Sequence, residues 1–384
     1  MTVLVVNTGS SSLKASVIDD HDETLVEKEL SLGDDASVQG SDASGEVAAL
    51  VGTLGRVYEA TAVGHRVVHG GPRFVDPVLL DEDVLAQLGA LRPLAPLHQS
   101  VALGAIAAAR SALPDLPHVA VFDTAFHATL PEATRRYPVP WEWERDHGVR
   151  RYGFHGIAVS WAAERAAELL HRPATELGLV VAHLGSGCSV TAVAAGRSID
   201  TTMGMTPLEG LMMGTRAGSI DPGVLLHLLR SEALSLDELA DALDHRSGLL
   251  AIEGTTAKMQ QLEARAEGGN DRALLAIEMF TSRAAGWIAA MATALPRFDA
   301  LVFSGGIGLG SALVRSRICA RLGALAVPSL ASRRAADDTQ GDAVLARTDR
   351  VAVLRVKARE DIVVARATRQ IRSESGRARR SAPQ

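Results

Sequence analysis

The chain has 384 residues, with 39 basic and 45 acidic side chains, a net charge of −6 and 47% hydrophobic residues. This balance excludes a disordered chain and argues against nucleic acid as a general partner. The length exceeds what one compact core normally serves, so two domains are expected.

Two cysteines, Cys188 and Cys319, show no CxxC spacing and no disulfide framework, which fits a reducing compartment. No apolar run reaches the ~18 residues that a membrane span requires. The N-terminus enters a strand at once, without a basic region and apolar core of a signal peptide. A soluble, cytoplasmic protein that meets neither membrane nor nucleic acid is the expectation.

The first element is Val3-Leu4-Val5-Val6, an apolar and mainly β-branched run that reads as a buried strand. Asn7 follows at its C-terminal end, where open α/β sheets place ligands. Gly9, Ser10, Ser11 and Ser12 make a hydroxyl-rich turn before a second strand over Leu13 to Ile18. Such a turn either simply closes a hairpin or offers N–H groups and hydroxyls to a phosphate, with Lys14 as a point charge. GxxxxGK[ST] is absent, so it is no Walker loop.

The same grammar recurs at Leu179 to Val190, where an apolar strand leads through His183, Leu184, Gly185, Ser186 and Gly187 into a second apolar strand. Two such units half a chain apart suggest related domains that each present a phosphate-type turn to a shared cleft. That layout resembles the actin, Hsp70 and sugar-kinase superfamily. Chance similarity of two hairpins is the competing explanation.

Residues 33–55, rich in Asp, Ser and Gly, read as a surface connection. A strand at Ala60 to Val63 then enters Gly64-His65-Arg66-Val67-Val68-His69-Gly70-Gly71. An arginine held between strand residues and a Gly-Gly turn is a candidate for anion binding, although lone arginines are usually solvated. Leu94 to Gln99 reads as a loop before an alanine-rich helix from Val101 to Ser111. His118 to Phe122 is a strand that ends in Asp123, either an N-cap of the next turn or a second polar site residue.

Trp141, Trp143, Tyr152 and Phe154 form an aromatic segment for which core packing is the expectation. His155 lacks that explanation, because nearby Gly153 and Gly156 permit close approach of a ligand. A helix from Val159 to Leu170 follows. The stretch from Asp200 to Pro222 is dense in Gly, Met and Thr with Arg216 as its only cation, which suits an anion-binding wall. Helices are expected over Ser235 to Leu243 and Asp271 to Leu295. Ala300 to Ser304 then reads as a strand, with Gly305, Gly306, Ile307, Gly308, Leu309 and Gly310 as a close-approach turn for nucleotide or phosphate. The tail from Arg369 is basic and serine-rich and is expected to fray.

The runs NTGSSSLK, GHRVVHGG, LAPLH, VFDTAFH, RYGFHG, TPLEGLMMGTR and VFSGGIG, in this order and spanning nearly the whole chain, resemble the acetate kinase family. The resemblance implies an α/β fold of two actin-like (ribonuclease H-like) domains, with mixed sheets flanked by helices and a cleft between them. It gives one domain as residues 1–127 plus 362–384 and the other, nucleotide-side and dimerisation domain as 128–361. It implies reversible phosphoryl transfer between ATP and acetate, giving acetyl phosphate and ADP, in a Mg²⁺-dependent homodimer, with Mn²⁺ as a possible substitute.

Carried over by motif, Asn7 and Glu360 hold the metal, directly or through water. Arg66 and Arg216 bind carboxylate and phosphoryl oxygens, His155 steadies the transferring group, and Asp123 is the family's catalytic aspartate. Lys14, Ser10, Ser12, the His183-Leu184-Gly185-Ser186-Gly187 turn and the Gly306-Ile307-Gly308-Leu309-Gly310 segment face the nucleotide and its phosphates. Val68, Leu97, Phe154 and Pro207 line the pocket for the acid's alkyl end.

The departures cluster on the nucleoside side. The family's HLGNGSS is His183-Leu184-Gly185-Ser186-Gly187-Cys188-Ser189 here, and its SSDMR is Thr256-Ala257-Lys258-Met259-Gln260. GGIGEN becomes Gly305-Gly306-Ile307-Gly308-Leu309-Gly310, EEL becomes Glu360-Asp361-Ile362, and HNP becomes His98-Gln99-Ser100. ATP and acetate are therefore the leading pair. Pyrophosphate, phosphate or another nucleotide is the alternative donor, and propionate or butyrate the alternative acid. A non-catalytic nucleotide sensor of the actin type is the rival from another class.

Overall fold

The computed structural model describes residues 1–9, 12–32, 41–331 and 341–381, without the side chains of 41–43, 96–97 and 375–381. The chain divides into two compact units, the first comprising 1–128, 154–157 and 359–384 and the second 129–153 and 158–358.

Unit 1 holds β1 (Val3–Thr8), β2 (Ser12–Ile18), β3 (Thr24–Ser31), β4 (Ala62–Val67), β5 (Val78–Leu79) and β6 (His118–Phe122). They form one mixed sheet in the order β3-β2-β1-β4-β6-β5, with β1, β4 and β6 parallel. β1 and β2 pair antiparallel through the Gly9 turn, as the sequence pattern requires. Because side chains alternate along a strand, β1 feeds two cores. Leu4 and Val6 pack with Val47 and Val51 of the helix Ser41–Val57 and with Ala105 and Ala109 of the helix Pro96–Ala112. Val3 and Val5 pack with Val119, Val121 and, from the helix Glu360–Ser381, Val364 and Ala365. A strand covered on both faces must read as a continuous apolar run, and this one does.

Unit 2 holds β7 (Gly178–Leu184), β8 (Cys188–Ala194), β9 (Arg197–Thr201), β10 (Ala300–Ser304), β11 (Ala343–Arg347) and β12 (Ala352–Arg355). Their order, β11-β12-β10-β7-β8-β9, repeats that of unit 1 strand for strand. Both sheets begin with an antiparallel three-strand meander and continue with two parallel strands and an antiparallel edge. The recurring hairpin is thus one part of a duplicated sheet. The helix Asp271–Thr293 packs on β7 and β8 through buried residues that include Ile277, Phe280 and Ala284.

Five expectations change. The connection expected over 33–55 is, from Ser41 onward, helical, because Val47, Val51 and Leu54 recur at helical spacing and are buried; residues 33–40 lie outside the described set. The helix expected from Val101 begins at Pro96, whose fixed φ and missing N–H suit a first turn. Gly305–Gly310 is a short helical turn rather than an irregular one. The C-terminal segment stays helical through Ser381, and its Arg369 donates to the Asp19 carbonyl and pairs with Asp22. Trp141 and Trp143 are 69% and 47% exposed, not core, since the helix Trp141–His147 is short and its other residues are charged. The Arg136 guanidinium covers the Trp141 ring at 3.7 Å.

Candidate active site

In unit 1 the parallel order β1-β4-β6 brings three strand ends side by side. β1 delivers Asn7 and Thr8, β4 delivers Arg66, and β6 is followed at once by Asp123. Arg66 joins them. Its Nε and Nη2 donate to the two Asp123 carboxylate oxygens at 3.2 and 2.5 Å, and its Nη1 donates to Asn7 Oδ1 at 3.2 Å and to the Thr8 carbonyl at 3.1 Å. A guanidinium has five N–H donors. Four are placed by these bonds, which leaves one, on Nη2, without a partner among the described residues.

The helix Glu360–Ser381 opens on Glu360, where an acid favours the helix dipole. Glu360 Oε2 accepts from Asn7 Nδ2 at 2.7 Å and stands 3.9 Å from Arg66 Nε. Asp123 does not cap the following turn; its carboxylate belongs to Arg66. Burial pushes the Asp123 carboxyl above its ordinary range, with Glu360 adding, while Arg66 and the His155 N–H pull the other way. Burial opposes the Arg66 charge too, and Asp123 and Glu360 more than restore it, holding the guanidinium above its usual range.

His155 has φ +60°, a left-handed conformation that costs a non-glycine residue energy and is kept only where surroundings enforce it. The enforcement is local: the next N–H, of Gly156, donates to the Asp123 carbonyl at 2.9 Å. A Cβ at Gly156 would lie 2.2 Å from that oxygen, so no larger residue fits. Val68 and Phe154 are buried nearby in sequence from these groups, and the Phe154 ring meets His69 edge-on at 5.4 Å. The Leu97 side chain and the whole of Ser10 lie outside the described residues. Ser12 opens β2, and the exposed Lys14 ammonium lies 3.8 and 4.0 Å from Glu27 and Glu29 across β2 and β3.

In unit 2 the turn Gly185-Ser186-Gly187 closes β7 on β8, with the Gly185 N–H donating to the Gly187 carbonyl. His183 and Leu184 end β7, and Ser304 ends the adjacent parallel β10. Gly306, Ile307, Gly308, Leu309 and Gly310 continue from there as the short helix Gly305–Gly310, whose Gly308 and Leu309 carbonyls accept from the buried Arg315. The buried Ser304 hydroxyl has no hydrogen-bond partner among the described residues.

Residues 202–221 contain no regular element and carry Arg216. The Arg216 Nη1 donates to the Pro207 carbonyl at 3.1 Å, and burial lowers its pKa. An arginine nonetheless remains charged at neutral pH. Sequence reasoning missed what shapes this segment. Arg151 Nη1 donates to the Thr201, Thr202 and Met203 carbonyls, and its Nη2 donates to Glu209 at 2.9 Å. Tyr137 donates to the other Glu209 oxygen and accepts from the Met205 N–H. The available signal was Glu209, the lone acid between Thr201 and Ile220, which needs a cation. Ser186, Lys258 and Gln260 are exposed, and none makes a side-chain hydrogen bond among the described residues.

A sequence profile of the acetokinase family matches residues 2–366. An acetate kinase of Deinococcus radiodurans is 48% identical over 85% of this chain and 86% of its own length. One from Deinococcus deserti is 45% identical over 97% and 98%. Among solved structures, a propionate kinase from Francisella tularensis superposes with a TM-score of 0.85 at 34% identity, covering 96% of this chain and 99% of that one. The acetate kinase of Porphyromonas gingivalis does so with the same score at 31% identity, over 96% and 99%. With its duplicated six-stranded sheets and family motifs over nearly its whole length, the chain belongs to the acetokinase family.

Proposed function

We propose that the protein catalyses reversible phosphoryl transfer between ATP and acetate, giving ADP and acetyl phosphate. The observation that carries this reading is the Arg66 guanidinium, held by Asp123, Asn7 and Thr8 with one N–H left over. Acetate, like the side-chain carboxylates that titrate at about 4, is ionised at neutral pH and is already a nucleophile there. The obstacle is the approach of two anions, roughly 4 kcal/mol per pair of unit charges at 4 Å and an effective dielectric of 20. Arginines address that directly by charge and geometry. Arg66 takes the acid's carboxylate, Arg216 the phosphoryl oxygens, and His155 steadies the transferring group. Asp123, with both oxygens occupied by Arg66, orients that arginine instead of accepting a proton. Val68, Phe154 and Pro207 receive the methyl end, which favours acetate and tolerates propionate.

The Asn7 amide and the Glu360 carboxylate offer oxygen donors suited to Mg²⁺, or Mn²⁺, held largely through water and phosphoryl oxygens. Among the described residues no group of three or more acidic, histidine or cysteine side chains could form an all-protein cage. The ion would neutralise phosphate charge during transfer.

A second reading concerns the donor. Ser186, Lys258 and Gln260 supply no preformed network for a base or ribose, so another nucleotide, phosphate or pyrophosphate can compete with ATP. For the assembly, Val224, Leu226, Leu229 and Leu236 are exposed apolar residues of unit 2 that a second copy would cover in a homodimer. Cys188 and Cys319 are buried free thiols pushed up to about 12 by burial, in keeping with a cytoplasmic setting. No helix among the described residues is long and apolar enough to cross a membrane.

Hydroxamate detection of acetyl phosphate, with Mg²⁺, ATP and acetate, tests the activity. Absence of product from well-folded protein with every triphosphate and with pyrophosphate would leave the sensor reading in its place.

A further inference from the structure

In unit 2 the parallel strands β7 and β10 present His183, Leu184 and Ser304 at their C-terminal ends. At the opposite end of these strands, beside the starts of β10 and β12, lies a cavity of about 690 Å³, within the range of small-molecule sites. Its wall contains Arg172, Arg297, Arg347 and Arg350 against only Asp299 and Asp349, with apolar surface that includes Phe298 between them.

The arginines fall into two pairs. Arg172 and Arg297 are explained by the fold. Both donate to the Asp299 carboxylate and to the Glu176 carbonyl, and Asp299 also receives the Gly178 N–H, so this cluster ties the start of β7 to the start of β10. Arg347 and Arg350 are not explained in that way. They flank the tight turn from β11 into β12, which is held by the Thr348 hydroxyl and not by either guanidinium. Neither side chain has a hydrogen-bond or ion-pair partner among the described residues. These two exposed guanidinium groups have their side-chain donors open among the described residues, and with Asp299 paired to both other arginines only Asp349 offsets them, which gives a local positive excess in an acidic protein. Planar forks of this kind bind phosphate and carboxylate bidentately.

We propose that this cavity is a second ligand site, separate from the phosphoryl-transfer residues, for a small organic anion bearing two or more phosphate or carboxylate groups. Arg347 and Arg350 grip the charged ends, and the apolar wall takes the carbon skeleton. The Asp299 cluster serves as a rigid back wall, because its charges are spent on one another.

Calorimetric titration with inorganic pyrophosphate and with citrate, at ionic strength matched with choline chloride, tests this. The two probes separate the phosphate and carboxylate arms of the same chemistry. The expected result is saturable binding of at least one probe to Arg216→Ala protein, in which the phosphoryl-transfer residues no longer compete for it, weakened ~10-fold or more when Arg347→Glu/Arg350→Glu is added. If the charge reversal fails to fold, Arg347→Gln/Arg350→Gln replaces it with the same expectation. Binding that survives the arginine changes, binding lost in Arg216→Ala instead, or no saturable binding of either probe overturns the proposal.

Discussion

Arg66 and Asp123 meet through two parallel hydrogen bonds, Nε to Oδ1 at 3.2 Å and Nη2 to Oδ2 at 2.5 Å, in a place where the aspartate is fully enclosed and the arginine nearly so. The pair spans β4 and the end of β6. Its geometry gives each partner a different sensitivity to substitution.

Arg66→Lys keeps the charge but cannot span Asp123, Asn7 and Thr8 at once. Its KM for acetate should rise by on the order of tenfold or more, with a fall in kcat as well. Steady-state kinetics in both substrates would show this; an unchanged KM would place the acid elsewhere.

Asp123→Asn keeps the shape and removes the negative charge that holds the arginine. If the carboxylate orients Arg66, kcat should fall without the appearance or loss of an ionisation in the pH–rate profile. If it instead took up a proton, the acidic limb of the wild-type profile would vanish in the variant. The profile of kcat against pH from 5 to 9 therefore discriminates between the two roles.

Arg216→Ala should lower kcat by on the order of 10³ or more, as loss of an arginine facing transferring charge does. Near-normal turnover by folded protein would remove Arg216 from the mechanism.

For the nucleotide, acetyl phosphate should be used with GDP and CDP at rates comparable to ADP if the exposed Ser186, Lys258 and Gln260 leave the base unread. A preference for ADP of ~100-fold in kcat/KM, about 2.7 kcal/mol, would show that other groups read it.

Acid stability should carry the mark of a second buried pair. His65 Nε2 lies 2.9 Å from His118 Nδ1, and His118 Nε2 lies 3.1 Å from the Leu113 carbonyl. That carbonyl can only accept, so His118 donates from Nε2; in the neutral pair its Nδ1 then accepts from His65 Nε2. Burial lowers both pKa values, His65 well below the ordinary 6.5, with the neighbouring ring and Arg110 adding for His65 and Arg110 adding for His118. The unfolded chain therefore binds more protons below about pH 6.5, and the stability present above that pH is lost as pH falls, by up to ~1.4 kcal/mol per pH unit per histidine. Thermal melts from pH 7.5 to 5.5 should show a steeper decline for the native protein than for His65→Gln/His118→Gln. Parallel declines would mean that the pair does not govern acid sensitivity.

Local signals were enough for the two hairpins. A β-branched run before a glycine turn leaves few alternatives, and Asn7, Arg66 and Asp123 announced themselves as polar residues at strand ends. Their mutual bonding was not legible, because it depends on β4 lying between β1 and β6, an order set by crossovers far apart in sequence. The helix Ser41–Val57 was hidden by a glycine- and serine-rich composition that drew attention from the Val47, Val51 and Leu54 spacing. Trp141 and Trp143 misled for the opposite reason: aromatic content suggested a core where a short charged helix leaves both outside. Arg151 gave no hint at all of its role, since carbonyls crowd around it only after residues 201–203 have folded.

The Arg151 cluster has a consequence for how variants of this chain can arise. A Cβ on Gly204 would stand 1.8 Å from a Glu209 carboxylate oxygen and 2.0 Å from the Tyr137 hydroxyl. Arg151 in turn meets that same carboxylate. Gly204 can therefore take a side chain only if both the Tyr137 hydroxyl and the Glu209 carboxylate give way, and shrinking Glu209 costs Arg151 its ion pair. A side chain at position 204 should therefore be recovered from a combinatorial library mainly together with changes at Tyr137 and Glu209, and such sequences should also replace Arg151 more often than chance.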